Sequence, residues 1–598
     1  MAVIGVILYH GNPAHFAQGW LGVDVFFVIS GFVIAPKLFE IWSNKNDKKR
    51  VRKLLKFYEY RVIRLAPTFA FTVAVFGTLL YLFGGWSEIR HFSAQSLAAS
   101  LGLGNLEAIN QSQSNYFRPN PNAFLHTWSL SAETQIYLLA PFIFFLIARS
   151  SKKLLLLLVG SGFVLFLQLL IETLTNLDGE IFFSPISRLW EFGIGAALFL
   201  TQGKKYKSYI GYVALLLLLL IFALPLGFKF YNIAAVVLTC VILSSDINSK
   251  LDSRYFSIVK MGDISYTIYL IHLPLLHLCD YLLFEYFWIK QIIYITATIF
   301  LGNQISKRIE MKSNQELRKA LPRKRILVLI AICIVPIAFS LFFRVTSVNY
   351  LNMSNPPKLQ GTNICESNGG NIDCSLGGGD AKNSIMLVGD SHANAISQSF
   401  IEVARKVNLQ PIVISGRGCR LEPANSYGFS TPCDKYMKSL KQLALKKNLK
   451  YIVISQRGFV ADGSASPRDR ARSFINAASE LKTNTNQVLI LGPNPEFLTN
   501  RSQGTFFNLF QKNVYKKTNE FYDFEQEDNY LNKLAAIEGI EYLSSSLKFC
   551  NEEECVIKKD GRYLYWDENH LSLDGAAHLK PHLLRAIQVR ISSTGELP

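Results

Sequence analysis

The chain has 598 residues, half of them hydrophobic, and a formal net charge of +18. That length is too great for one domain. The Lys/Arg clusters sit between apolar blocks and no nucleic-acid-binding motif accompanies them, so the basic balance points to membrane loops and not to a nucleic-acid partner. The apolar residues form long blocks such as VALLLLLLIFALPLGF (213–228) up to about residue 346, and only short runs after it.

Taken in order, apolar stretches of transmembrane length fall near 1–12, 22–42, 66–86, 130–149, 154–173, 185–202, 208–225, 229–246, 264–285, 288–305 and 325–344, eleven in all. No cleavable signal peptide is evident and the first apolar segment reads as retained. The basic stretches 44–64, 150–153, 203–207, 247–260 and 306–324 then fall on one side in strict alternation. The positive-inside rule makes that side cytoplasmic. Segment 87–129, and everything after the eleventh span, is expected outside.

Residues 347–381 are rich in Gly, Asn and Ser and read as a linker. From 382 the pattern changes. NSIMLVGDS, PIVISG, YIVISQ and QVLILG are short β-rich runs, and helical spacings such as 468–482 separate them. That alternation predicts an α/β domain on a parallel sheet. Cys240, Cys279 and Cys333 lie in apolar blocks and read as buried thiols. The other six cysteines form local pairs, Cys365/Cys374, Cys419/Cys433 and Cys550/Cys555, which suggest disulfides and an oxidising compartment. No CxxC or His cluster suggests a metal.

In LVGDSH a strand leads into Gly389-Asp390-Ser391. A parallel strand ending in a tight turn puts the next side chain at the carboxyl edge of the sheet, where open α/β sheets build their sites. A serine there, at a helix N-terminus, suits a nucleophile, and helix capping is the bland alternative. Near the domain's end, WDENHLSLDGAAHL (566–579) supplies Asp567 and His570. One loop can thus deliver a base and the carboxylate that orients it.

Gly-Asp-Ser after the first strand and D-x-x-H near the end resemble the SGNH hydrolases, over about 380–590. The resemblance implies a three-layer α/β fold, with Ser391 as nucleophile, His570 as base and Asp567 as its orienting carboxylate. It also implies oxyanion donors from the serine N–H, from Gly416 or Gly418 with Gly418 favoured, and from an asparagine after the third strand. Arg457 stands where that asparagine is expected, and Asn494 follows a later strand.

The apolar region carries acids and bases that are costly in a membrane: His10, Asp24, His126, Glu133, Arg188, Glu191, Asp263 and His272. The phrases LGVDVFFVISGF, FYEYRVIRLAP, HTWSLSAETQIYLLAP, SRLWEFGIGA and GDISYTIYLIHLP together resemble the acyltransferase family 3 membrane proteins over about 1–310. With the apolar stretches, which give a polytopic helical membrane domain of about 10–11 helices in all, the resemblance implies an acyltransferase membrane domain (1–310), a basic loop and final helix (311–346), the linker and an SGNH-like periplasmic domain (382–598). It implies His10 as the essential histidine, and Arg61 and Arg64 of RVIR as coenzyme A phosphate ligands. His126, Glu133, Arg188 and Glu191 are further site candidates.

The whole then resembles bacterial O-acetyltransferases of surface glycans. The donor is expected to be cytoplasmic acetyl-CoA, with no permanently bound cofactor and no metal. The acceptor is expected to be a surface polysaccharide such as lipopolysaccharide O-antigen, or a lipid-linked oligosaccharide. The expected location is the bacterial inner membrane, among its lipids, with the C-terminal domain in the periplasm. The rivals are a membrane-tethered glycan O-acetylesterase, which the same triad fits, and a transporter with an appended binding domain. The family's basic residue eleven positions before the histidine would fall at −1 here, so the natural start is expected further upstream. The first apolar stretch, about 11 residues, is short for a bilayer.

Overall fold

The computed structural model describes every residue except 14, 44–47, 85, 111–121, 175–177, 202–205, 224–230, 247–260, 284–286, 355–362, 369–370, 373–383, 416–420, 422–439, 441, 443–448, 450, 460–466, 483–486, 497–513, 517–523, 566–568 and 594–598. It has two compact units: Met1–Phe83 with Glu88–Thr346, and Gly84–Ser87 with Ser347–Pro598.

The first unit is helical. Its helices are α1 (Ala2–Gly11), α2 (Gly22–Ser43), α3 (Arg50–Phe83), α4 (Trp86–Ser100), α5 (Gly104–Asn110), α6 (Thr127–Ile147), α7 (Lys153–Leu174), α8 (Asp178–Phe183), α9 (Leu189–Leu200), α10 (Ser208–Ala223), α11 (Tyr231–Leu243), α12 (Ser265–Leu283), α13 (Phe287–Ile305), α14 (Lys312–Lys319) and α15 (Pro322–Ser354). Each of the eleven expected spans meets one of them. Among the described residues, five helical segments are long and apolar enough to cross a membrane: Gly19–Ser43, Arg50–Phe83, Thr127–Ile147, Lys153–Leu174 and Pro322–Val348. The chain is a multi-pass membrane protein.

Its burial pattern inverts that of a water-soluble bundle. Val159, Phe163 and Phe166 on α7, and Leu327, Ile330 and Ile334 on α15, are exposed, while Asp24, His126, Glu191 and His272 are fully buried. An apolar exterior needs no water-facing stripe when lipid is the solvent. Inside, backbones approach closely. A Cβ on Gly31 of α2 would sit 2.0 Å from the Phe192 carbonyl oxygen of α9, so only glycine fits that crossing.

Three features differ from the sequence expectations. The basic stretch read as a loop is helical from Arg50, because Leu, Lys and Arg are good helix formers and no proline interrupts before Pro67. Segment 87–129, for which the sequence reading gave a side and no elements, holds α5 and nearly all of α4. Phe92 of α4 packs on Phe343 of α15 with ring centroids 5.8 Å apart, and Ser96 bonds Ser340 at 2.8 Å, contacts between residues too mixed in polarity to mark a span. Cys333 is exposed and Cys240 half-buried, and only Cys279 is buried. An apolar neighbourhood in a span can mean lipid rather than protein.

The second unit is built on a seven-stranded sheet. Its strands are β1 (Asn363–Asn368), β2 (Asn371–Ile372), β3 (Ser384–Gly389), β4 (Gln410–Ser415), β5 (Tyr451–Ser455), β6 (Gln487–Leu491) and, after the short β7 (Val514–Lys516), β8 (Glu541–Leu543). The order is β2-β1-β4-β3-β5-β6-β8, parallel except for β2. Strand β1 falls within the stretch read as a linker. Its sequence, NICESN, is mostly polar and so gave no strand signal.

All six residues of β3 are buried. Ile385 and Leu387 join one core with Phe400 of α16 (Ser391–Lys406), and Met386 and Val388 join the other with Phe474 of α17 (Pro467–Ser479) and Leu531 of α18 (Phe524–Ile537). The first core is completed, past the one-turn α19 (Ser546–Phe549), by Leu579 and Leu583 of α20 (Leu573–Ser593). Period-two burial on both faces is what a parallel sheet between two helical layers requires. The fold is therefore three-layer α/β. Cys550 and Cys555 form a disulfide. Cys374, Cys419 and Cys433 lie outside the described residues.

Candidate functional site

In the α/β unit the site starts at the carboxyl edge of the central strands. Gly389 pairs with Ser415 of β4 and Ser455 of β5, so the three strands end level. Gly389 has φ +153, and a Cβ there would lie 1.7 Å from the Ser455 carbonyl oxygen, so the turn into α16 admits only glycine. The helix cap is Asp390: one carboxylate oxygen accepts from the His392 backbone N–H at 2.9 Å, the other from the Arg457 N–H at 3.1 Å. Ser391 is thus released from capping, and its hydroxyl lies 2.7 Å from His570 Nε2. A hydroxyl donating to a ring nitrogen at that distance is the geometry of an activated nucleophile.

His392 follows the serine and is buried. Its ring lies 4.7 Å from the His570 ring, centroid to centroid. Asn494 reaches it from the loop after β6: Asn494 Nδ2 stands 3.3 Å from His392 Nδ1, and Asn494 Oδ1 accepts from the Ser545 hydroxyl at 3.2 Å. Arg457 turns its guanidinium onto Glu496, Nε at 3.0 Å and Nη2 at 2.8 Å from Oε2. Its backbone serves the turn, while its side chain serves an ion pair. Burial, with Glu496 nearby, raises the Tyr565 hydroxyl well above its ordinary pKa. Asp567 and the oxyanion candidates Gly416 and Gly418 lie outside the described residues. His392 was passed over in the sequence; its place directly after GDS, at the start of a buried helix, was the available signal.

In the membrane unit the candidates gather into three groups. Arg188 donates through Nη1 to Asp24 at 2.7 Å and to Glu191 at 3.0 Å, and through Nη2 to the Phe182 carbonyl at 2.9 Å. Ser30 donates to Glu133 at 2.6 Å and lies 2.6 Å from the Tyr137 hydroxyl, which also bonds Glu133. The Arg61 guanidinium stacks over Tyr137 at 4.8 Å and over Phe57 at 3.8 Å. His10, His126 and His272 form the third group: His272 lies 5.4 Å from His10 and 4.9 Å from His126 by ring centroids. Arg64 and Asp263 are exposed. His272 was visible in the sequence only as one more polar residue in a span.

One face of α6 strings the second and third groups together. Tyr137, Glu133, Ser129 and His126 recur every four, four and three residues. Ser129 bonds the Tyr269 hydroxyl at 2.6 Å, which in turn lies 3.0 Å from the His126 carbonyl. At ~1.5 Å per residue this polar column is roughly 16 Å long.

A Gly-Asp-Ser turn with a histidine on its serine, on a parallel sheet between helical layers, defines an SGNH-type unit, and it is joined to an apolar helical unit with buried acid, base and imidazole groups. The chain belongs to the acyltransferase family: residues 1–302 match the acyltransferase domain, and residues 360–585 match the SGNH domain found fused to such acyltransferase domains. Over 202 residues it is 32% identical to O-acetyltransferase OatA of Staphylococcus aureus (strain NCTC 8325 / PS 47), covering 33% of this chain and 32% of that protein. The match to OatA of Staphylococcus aureus (strain MRSA252) has the same identity and extent, 32% over 202 residues, with 33% and 32% covered. The chain therefore spans about a third of the length of these relatives. The solved periplasmic domain of a Salmonella ser. Paratyphi A lipopolysaccharide acetyltransferase aligns with 35% of this chain and 85% of its own, at 15% identity and a TM-score of 0.31.

Proposed function

We propose that the chain moves an acetyl group from cytoplasmic acetyl-CoA to a hydroxyl of an extracytoplasmic polysaccharide such as lipopolysaccharide O-antigen. The observation that carries this is the Ser391–His570 contact of 2.7 Å in a chain that also buries His10 inside an acyltransferase unit. In the membrane unit Arg61 and Arg64 hold coenzyme A phosphates, and the polar column on α6 leads from Arg61 toward His10. A hydroxyl attacks the thioester carbonyl while His10 takes its proton. The C–O bond forms, the C–S bond breaks, and the proton leaves on the thiolate.

Ser391 then takes the acetyl from that first ester: its hydroxyl gives its proton to His570 and attacks the ester carbonyl, the Ser391–acetyl bond forms, the first C–O bond breaks, and the first hydroxyl leaves with the proton. A sugar hydroxyl, deprotonated by His570, displaces it and restores the serine. Asp567 orients His570, and the Ser391 N–H with Gly418 holds the oxyanion. The basic loops between spans and the Cys550–Cys555 disulfide support an inner-membrane protein with its C-terminal unit in the periplasm. Purified full-length protein in lipid, given acetyl-CoA and a surface glycan, yields O-acetylated product that His10→Ala lowers at least about a hundredfold. Unchanged acetylation in that variant defeats the reading, and net loss of acetyl from a pre-acetylated glycan in place of transfer favours an esterase.

A further inference from the structure

His126 Nε2 lies 3.1 Å from the Leu270 carbonyl oxygen, and His272 Nδ1 lies 2.6 Å from the Tyr269 carbonyl oxygen. A carbonyl can only accept, so both nitrogens carry hydrogens. In each neutral ring the other nitrogen is then a lone pair: Nδ1 of His126 and Nε2 of His272. Both atoms are buried with no hydrogen-bond partner among the described residues. Both side chains are fully buried.

Two unpaired acceptors in one cluster are costly, and buried polar atoms are nearly always satisfied. The cluster is short of donors, and what fits it is an additional N–H, above all one on a charged imidazole. His10 brings its ring to 5.4 Å from His272 by centroids. Two imidazoles joined by an N–H···N bond of about 2.9 Å have centroids roughly 5 Å apart, a little closer than here, so the bond is not made in this structure and needs a small approach of the two rings. His272 thus stands beside His10 with its lone pair set by the Tyr269 carbonyl, on the same helix.

We propose that His272 is the positioning residue of His10: its Nε2 lone pair receives the His10 N–H, fixes that ring's orientation, and stabilises the imidazolium formed when His10 takes the proton of the attacking hydroxyl. His126 Nδ1 is a second acceptor beside it. The inference rests on His10 acting as the base of acyl transfer. His272 itself gains and loses no proton: the proton passes from the hydroxyl to His10 and from His10 to the thiolate sulfur. His272 fills the place that a carboxylate fills in a hydrolase triad, without adding a charge to the membrane interior.

The test uses full-length protein in lipid, reading coenzyme A thiol release and glycan acetylation for H272L, H272Q, H272N, H10A and H10A/H272L. Expected is a fall in kcat of about tenfold or more for H272L, with KM for acetyl-CoA within about twofold of the parent, since only transition-state support is lost. H272Q recovers most of that loss, because the Gln amide oxygen can stand near the Nε2 position; H272N, too short to reach it, does not. In the H10A background H272L costs nothing further. Parental kcat in H272L alongside an inactive H10A overturns this inference alone, and an active H10A overturns the acyl-transfer reading beneath it. Equal loss from H272L with and without His10 assigns His272 to structure and overturns the inference. Should H272L fail to fold, Gln against Asn decides, and equal activity of the two overturns it.

Discussion

In the proposed function His570 and His10 each serve a reactive centre, but they keep different company. His570 is half-buried and has a hydroxyl of its own chain, Ser391, at 2.7 Å. His10 is buried beside an imidazole, with the His272 ring at 5.4 Å. Under the proposed function the α/β centre, with its serine hydroxyl in place, holds an acyl group covalently, whereas the membrane centre moves a proton. Burial separates them too: His570 is half-buried and His10 is buried, and a buried site excludes the water that would hydrolyse an acyl group.

The largest expected effect tests the membrane side. His10→Ala lowers O-acetyl product by about a hundredfold to ten-thousandfold, the range for losing a general base, read as acetate released by alkali from washed glycan. Next comes Ser391→Ala. If the acyl group passes through the serine, glycan acetylation falls at least about a hundredfold and radiolabel from acetyl-CoA no longer stays on the chain, while His10→Ala removes label and product together. Parental acetylation in Ser391→Ala would break the comparison, leaving the membrane centre as the only working one.

How much of this could be read from the sequence depends on what each feature rests on. The eleven apolar stretches and the strand–helix alternation after residue 382 were legible, because periodicity is local. GDS and His570 were legible as a pair, and their contact is the shortest step from pattern to chemistry. The convergence of His10, His126 and His272 was not, because three helices far apart in the chain supply them. Helix α4 and strand β1 were missed for the opposite reason: Ser96 and Asn363 belong to stretches whose sequences are too polar to read as a span or a strand. Cys333 was misread since an apolar run does not tell lipid from protein.

The two units also differ in what an ion pair is worth, and here the effects become smaller. Arg188 in the membrane unit has 4% of its side chain exposed, Asp24 and Glu191 none. Arg188→Met leaves two acidic groups in the bundle without their cation. Breaking such a buried pair costs about 3–5 kcal/mol, visible as a clear fall in the midpoint of thermal unfolding in detergent. Arg188→Met with Asp24→Asn and Glu191→Gln should recover part of that loss, and no recovery would mean that packing on Trp128 and Phe182, not charge, is what Arg188 supplies there.

The α/β unit offers the matching exposed pair. Lys580 of α20 donates to Glu402 of α16 at 2.6 Å, with 30% and 43% of the side chains exposed. The hydrogen bond from Lys580 comes first among the causes that hold the Glu402 carboxyl below its ordinary value. A carboxyl depressed on folding stabilises the native state above its unfolded pKa, and that contribution fades as pH falls through the folded one. Solvent screens a pair this exposed, so Glu402→Gln should cost less than about 0.5 kcal/mol at neutral pH. The cost should vanish in acid and shrink with added salt. Chemical unfolding of full-length protein at neutral and acidic pH checks both signs. A loss as large as that of Arg188→Met would mean that the two helices depend on this contact, and the contrast between a buried and an exposed ion pair would not hold for this chain.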